Sequence, residues 1–422
     1  MQAKSAHKLS VHILIAMGLA IVAGAVLKGV VAPDSAFAIN VIDGAFNAIG
    51  QIFIRSLQLL VIPLVFVSLV CGTSSLTDIA QLGRIGGKAL GLYMLTTAAA
   101  ITLAIVFALL FSPGKGVALE AGEFEVKASP SMWDVLINIM PKNPIEAMAE
   151  GNMLQVILFS VLLGIAISQS GNAGKRLNEF FEDWNTVILK LVHILVMLAP
   201  YGVFCLLTRV VYQLGLDAIA PLAKYFGTVL FALLIQLTVV YPTLVTVFAR
   251  ANPVPFLSKM KGAWVFAFST ASSNATLPIT LATVREKLGV SNRIASFSVP
   301  LGATINMDGT AIMQGVATVF IAQVYGIDLT MTQILMVIAT ATLASIGTAG
   351  VPGVGLIMLT LVLQQVGLPI EGIAMIIGID RLLDMSRTAV NITGDAAVAC
   401  IVANSENEFD RETFNDPKAG EV

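Results

Sequence analysis

WVFAFSTASSNATLPITLAT, residues 264 to 283, has the length of a membrane-spanning helix but cannot be one. Its centre, Ala271-Ser272-Ser273-Asn274-Ala275-Thr276, is polar and poor in helix formers, and it leaves two arms of under about 12 residues. Neither arm is long enough to cross hydrocarbon. Lys259 and Lys261 stand before the stretch, and Arg285, Lys287 and Arg293 stand after it. Because cytoplasmic loops hold the excess of Lys and Arg, one crossing should not carry basic residues at both ends. The pattern predicts a re-entrant hairpin entering from the cytoplasm. Non-helical backbone at membrane depth is tolerated only where protein or a cavity satisfies it. The tip is therefore expected inside the protein.

The rest of the chain fits that setting. Of 422 residues, 57% are hydrophobic and 12% charged, about half the charge of a soluble protein. Apolar stretches of bilayer length recur near residues 9–32, 41–72, 84–112, 151–169, 183–212 and 219–249. Lys4 and Lys8 precede the first, Arg84 and Lys88 follow the second, and Lys175 and Arg176 follow the fourth. Asp217 and Lys224 flank the loop after the fifth, and Arg250 follows the sixth. An acidic loop with Glu120, Glu123 and Glu125 follows the third. The charge rule then puts the N-terminus and the end of the sixth stretch in the cytoplasm. Residues 113–150 read as an external segment with short helical pieces, SMWDVLINIMP and NPIEAMA. Ala36-Phe37-Ala38 resembles a signal cleavage site, but the first apolar run exceeds a signal core and is expected to stay as a helix. A net charge of −2 gives no reason to expect nucleic acid, and Cys71, Cys205 and Cys400 make neither a disulfide framework nor a metal spacing.

Residues 335–363 repeat the hairpin pattern, broken at Gly347-Thr348-Ala349-Gly350-Val351-Pro352-Gly353-Val354-Gly355 and with no Lys or Arg at either flank. This second hairpin is expected from the outside. Interrupted segments at matching positions of two halves predict an inverted repeat and mark a secondary transporter's binding site. The last apolar run, 371–402, holds GIDRLLDMSRTAVNITGD (378–395). At about 100° per residue, Asp380, Asp384, Arg387, Thr388, Asn391 and Asp395 share an arc of about 100° over about 22 Å of helix. A charge at the bilayer centre costs about 2.5–3.5 kcal/mol on insertion scales, so such a stripe is a functional candidate. The arginine fork suits a carboxylate, and separated carboxylates suit an ammonium group or alkali cations. The implied ligand is small, carries both signs of charge and travels with cations. Two other classes use membrane-embedded acids. An intramembrane aspartyl protease would need Gly-x-Gly-Asp, where this chain has Ile392-Thr393-Gly394-Asp395, and an arginine in the stripe argues against a cation channel. No enzyme is expected.

STASSNATLP (269–278), PLGATINMDGTA (300–311), LASIGTAGVPGVG (343–355) and GIDRLLDMSRTAVNITGD (378–395) resemble the dicarboxylate/amino acid:cation symporter family. The resemblance implies an all-α polytopic membrane protein with eight transmembrane helices, two re-entrant hairpins and inverted repeats. It also implies a lipid-embedded homotrimer in the plasma (inner) membrane, with both termini cytoplasmic and a transport domain moving elevator-fashion. The scaffold would take 1–72 and 113–218, and the transport domain 73–112, 219–253, hairpin 254–290, broken helix 291–325, hairpin 326–370 and helix 371–405. Residues 406–422 would form a cytoplasmic tail. Carried over position by position, the family implies that Arg387 holds a substrate side-chain carboxylate and Asp384 its ammonium group. Thr388 and Asn391 would assist, and Ser273, Thr310, Val351 and Gly355 would line the pocket. Three Na+ sites are implied: Gly302, Asn306 and Asn391 carbonyls with Asp395; carbonyls of Thr304, Ser345, Ile346 and Thr348; and Tyr93, Thr96, Thr97, Asn306 and Asp308.

Two positions depart from the family. Ala271 stands where related archaeal members have an arginine, and Arg381, three residues before Asp384, is a possible replacement charge partner. Gln314 stands where proton- and potassium-coupled members have a glutamate, which disfavours proton coupling there. Dicarboxylate carriers of the family lack the acid at Asp384 and neutral amino acid carriers lack the arginine at Arg387. Having both favours aspartate or glutamate, with a cation-coupled C4-dicarboxylate or neutral amino acid symporter as the alternative.

Overall fold

The computed structural model describes residues 2–74, 79–116, 137, 140–215, 219–345, 350 and 352–420. Among them the regular structure is helical, with one isolated β-bridge between Val290 and Phe409. Helices α1 (Gln2–Val30), α2 (Asn47–Ser74, entered through a π turn Ala38–Phe46) and α3 (Ile79–Phe111) come first. Then follow α4 (Pro144–Glu150), α5 (Met153–Gln169), α6 (Gly171–Val196) and α7 (Ala199–Leu214). The second half holds α8 (Ile219–Ile235), α9 (Tyr241–Phe248), α10 (Pro253–Thr270), α11 (Ser273–Ala282), α12 (Asn292–Ile305) and α13 (Asp308–Val324). It closes with α14 (Met331–Ser345), α15 (Val354–Gln365), α16 (Ile373–Ser405) and α17 (Arg411–Asn415).

Three stretches are long and apolar enough to cross a membrane by length and composition among the described residues: Ala38–Cys71, Arg84–Phe111 and Ala220–Phe248. The expected count of eight is not reached on that measure, for readable reasons. Helix α16 carries Asp380, Arg381, Asp384, Arg387 and Asp395, and α12 and α13 are two short helices parted at Asn306 and Met307. The span expected at 183–212 is also divided. Helix α6 starts earlier, at Gly171, taking Lys175 and Arg176 onto its polar face, and ends at Val196. Pro200 in the first turn of α7 lacks an N–H, and its ring would clash with the preceding turn of a continuous helix. Of the external pieces, NPIEAMA falls in α4, capped by Asn143, whereas nearly all of SMWDVLINIMP lies outside the described residues.

Both hairpins are present. In the first, α10 ends at Ala271 in the left-handed region (φ 49°), and Ser272 caps α11 by accepting from Ala275 N–H. Its first arm is longer than expected because the helix starts at the Asn252 cap and carries Lys259 and Lys261 along it. Lys259 Nζ closes the open end by donating to Lys287 O at 2.7 Å. The second hairpin pairs α14 with α15, and Gln333 Nε2 closes its open end on Val366 O at 3.0 Å. The tips meet: Ser272 Oγ donates to Gly350 O at 2.6 Å and Asn274 N–H to the same oxygen at 3.2 Å. Helix α16 packs against α3, both hairpin arms of the first hairpin, α12 and α13, so its polar stripe faces protein. Helices α1, α2, α5, α6 and α7 pack mainly on one another, and leave Ile52, Leu59, Val187 and Tyr201 exposed as large apolar groups.

Candidate functional site

The stripe on α16 splits into two chemically different halves. In the first, Arg387 is fully buried and donates through Nη1 to Asp380 Oδ1 at 2.7 Å and through Nη2 to Asp384 Oδ1 at 2.9 Å. Asp384 Oδ2 takes Gly353 N–H from the second hairpin at 3.1 Å and Arg381 Nη1 at 3.4 Å. Thr388 Oγ1 turns back to Asp384 O at 2.8 Å. Gly355 lies against the guanidinium: a Cβ built there would be 3.1 Å from Arg387 Nη2. Two acids and two arginines balance in this half, and any anion reaching the fork competes with Asp380 and Asp384 for it. Ser273, on the first hairpin, and Thr310, at the start of α13, are also buried, with Ser273 Cβ 3.1 Å from a Cβ built on Gly350.

The second half is anionic. Asn391 Oδ1 accepts Gly309 N–H at 2.8 Å, tying α16 to the break before α13. Asn306 Nδ2 donates to Asn391 O at 3.1 Å and to Asp395 Oδ1 at 2.9 Å, leaving Asn306 Oδ1 buried without a hydrogen bond. Gly302 is required by close approach, since a Cβ there would be 2.4 Å from Asp395 Oδ1 and 2.7 Å from Tyr93 OH. Asp308 Oδ1 accepts Thr97 Oγ1 at 2.6 Å and Thr96 Oγ1 at 3.4 Å, while Oδ2 accepts Tyr241 OH at 2.8 Å and Gln236 Nε2 at 3.4 Å. Asp308 is 0% and Asp395 1% exposed, and neither forms an ion pair among the described residues. Two buried carboxylates ringed by amide, hydroxyl and carbonyl oxygens have the donor set of a hard-cation site.

Most of the expected residues therefore converge. Tyr93 reaches both acids' surroundings: its backbone oxygen accepts Thr96 Oγ1 at 3.1 Å, while its hydroxyl donates to Ser298 O at 2.9 Å and sits beside Gly302 and Asp395. The hydroxyls of Thr304 and Ser345 bond back to Leu301 O and Thr342 O in their own helices. Ile346, Thr348 and Val351 lie outside the described residues. Asp380 was expected only as a member of the polar stripe, and Gly353, Gln236 and Tyr241 were not among the expected site residues. The signal for the last two was available as lone polar groups before Pro242 in an apolar run.

A helical membrane protein with two inward hairpins and a buried site of mixed charge has the layout of a secondary transporter. Residues 9–405 match the model of the sodium:dicarboxylate symporter family, and the chain belongs to that family. It is a symporter by family and not an enzyme. It is similar to a proton/sodium-glutamate symport protein of Bacillus caldotenax, at 36% identity over 86% of this chain and 88% of that protein. It is also similar to a proton/glutamate-aspartate symporter of Escherichia coli strain K12, at 35% identity over 95% and 93% of the two chains. Excitatory amino acid transporter 2 of Homo sapiens is 33% identical over 86% of this chain and 73% of its own length.

Proposed function

We propose that this chain is a sodium-coupled secondary active symporter of acidic amino acids, L-aspartate and/or L-glutamate. The observation that carries it is the fully buried Arg387 fork beside Asp384, with two buried acids that form no ion pair among the described residues, Asp395 two turns further along α16 and Asp308 at the start of α13. Arg387 takes the substrate side-chain carboxylate in place of its intramolecular acids, and Asp384 takes the ammonium group. Thr388 and Asn391 orient the main-chain end, and Ser273, Thr310, Val351 and Gly355 close the pocket from the tips. The names of the relatives, glutamate and glutamate-aspartate symporters, support the substrate class.

Sodium binds at Asp395 with Gly302, Asn306 and Asn391, and at Asp308 with Thr96, Thr97, Tyr93 and Asn306. A third ion sits on carbonyls of Thr304, Ser345, Ile346 and Thr348. Some relatives are named for protons as well. Gln314 has no proton to exchange, which supports sodium here. Helices α3 and α8–α16 form a body that moves, elevator-fashion, against α1, α2 and α4–α7, in a homotrimer of the plasma (inner) membrane with both termini cytoplasmic. Saturable uptake of radiolabelled aspartate into proteoliposomes that requires inward sodium tests this. Uptake driven equally by a proton gradient without sodium refutes the coupling. Competition by succinate as strong as by glutamate moves the substrate to C4-dicarboxylates, and competition by alanine moves it to neutral amino acids.

A further inference from the structure

Between α8 and α9 the chain makes a π turn, Gln236–Val240, in which Tyr241 N–H donates to Gln236 O. An i to i+5 bond stacks residue 241 over residue 236. On an unbroken α-helix two residues five apart lie about 140° apart around the axis and could not serve one point. Pro242, with no N–H to place in an α ladder, suits the interruption. Single π turns recur at functional sites. The consequence here is geometric: Tyr241 OH and Gln236 Nε2 both reach Asp308 Oδ2, at 2.8 and 3.4 Å.

The second observation is an orphan. Gln236 is 0% exposed, and its Oε1 has no hydrogen-bond partner among the described residues. A buried carboxamide oxygen left unbonded carries its full desolvation penalty. Rotation of the amide about its last bond exchanges Nε2 for Oε1 with little change of shape. The same side chain can therefore donate to Asp308 or present an oxygen to a cation seated against that carboxylate. Asn306, on the break between α12 and α13, offers a second buried orphan oxygen, Oδ1.

We propose that Gln236 Oε1 is a ligand of the cation held at Asp308. Tyr241 is the positioning residue that holds Asp308 Oδ2, and the π turn presents both. This rests on the reading of Asp308 as a sodium site. A group placed for packing alone needs neither the π turn nor an unbonded oxygen. A water molecule on Oε1 is the competing explanation, and the test addresses it.

The experiment is a sodium titration of aspartate binding to the purified protein, repeated with lithium, together with sodium-binding calorimetry without substrate. Gln236→Leu is expected to raise the sodium midpoint about five- to tenfold and to change the lithium-to-sodium ratio, with aspartate affinity at saturating sodium moving less. Tyr241→Phe raises the midpoint and leaves the ratio unchanged. If Gln236→Leu does not fold, Gln236→Glu, which keeps the oxygen and adds charge, is expected to lower the midpoint. Wild-type midpoints and ratios in the Gln236 variants, with Asp308→Asn shifting the midpoint, overturn the ligand role alone and leave water on Oε1. Wild-type binding that ignores sodium, or a sodium midpoint unmoved by Asp308→Asn, refutes the Asp308 site itself and the ligand role with it.

Discussion

Replacing Arg387 by alanine separates two roles that one side chain holds. Arg387 is 0% exposed and engages Asp380, whose side chain is 5% exposed, and Asp384, at 11%. Removing it takes away the fork proposed for the substrate carboxylate and strands Asp380. Breaking a buried pair by deleting one partner costs about 3–5 kcal/mol of stability. Truncating the binding side of a buried charge pair costs about 2–5 kcal/mol of affinity, or roughly 30- to 4,000-fold. Lost binding in Arg387→Ala alone could then reflect a damaged fold. The paired variant Asp380→Ala with Arg387→Ala removes the stranded acid and restores the charge balance of this half of the stripe. Its melting temperature in detergent is expected to recover most of the loss. Its affinity for aspartate, measured by radioligand competition at saturating sodium, is expected to stay as low as in the single variant. Asp384 remains for an ammonium group, so binding of a neutral amino acid should not fall in parallel. Aspartate affinity within threefold of wild type in the stable double variant would refute the carboxylate role.

Asp384→Asn keeps the shape and removes the charge that an ammonium group needs. The ratio of succinate to aspartate competition is expected to rise at least about tenfold, on the scale of one charged hydrogen bond, and an unchanged ratio counts against the assignment. Gly302→Ala drives a methyl group to within 2.4 Å of Asp395 Oδ1. Overpacking of this kind costs about 1–3 kcal/mol, so a lower melting temperature and a higher sodium midpoint are expected, and wild-type values for both would refute the close approach of Gly302 to Asp395. At the end of α16, hydrogen bonds from Lys88 and Arg84 hold Glu406 below the ordinary value of 4.5. The stabilisation is full above that ordinary value and is lost as pH falls through the depressed one. Melting temperatures taken from pH 6 to pH 3.5 should therefore fall less steeply in Glu406→Gln, by a small step because its partners Arg84 and Lys88 lie at the surface, where ion pairs contribute about 0–1 kcal/mol. Parallel curves would remove Glu406 from the acid response.

The hairpins and the stripe were legible because each violates what a membrane helix requires. Ala271–Thr276 and Gly347–Gly355 could not span, and six polar residues on one arc of 378–395 could not face lipid. Hydropathy alone did less well where a helix is polar for a reason. Gly171–Val196 begins in charged residues that read as a connection, yet it forms one amphipathic helix up to the break before Pro200. The contribution of α8 and α9 to the site was also hidden. Pairing Gln236 with Tyr241 needs a π turn, and periodicity at 100° per residue puts the two on different faces. Asp380 was visible on the stripe, but its two bonds to Arg387 depend on rotamers that spacing does not fix.

The division of charge along α16 gives a reason for coupling that does not depend on any single contact. In the half proposed for the substrate, Arg381 and Arg387 balance Asp380 and Asp384, so an acidic amino acid bound there, with one net negative charge, would make a neutral enclosure anionic. In the adjoining half, Asp308 and Asp395 are both buried with no basic partner among the described residues. Gly309 joins the two, since its N–H is held by the Asn391 side chain and a Cβ built on it would be 2.5 Å from Arg387 O. At an effective dielectric of about 20, unit charges 8 Å apart still interact by about 2 kcal/mol. On the proposed sites, each cation taken up beside Asp308 or Asp395 would therefore favour the anionic substrate, and the substrate would favour each cation by the same amount. A substrate without the extra negative charge would gain little from this field, even if it fitted the pocket. Selectivity for acidic substrates and dependence on cations are then two readings of one arrangement of charge.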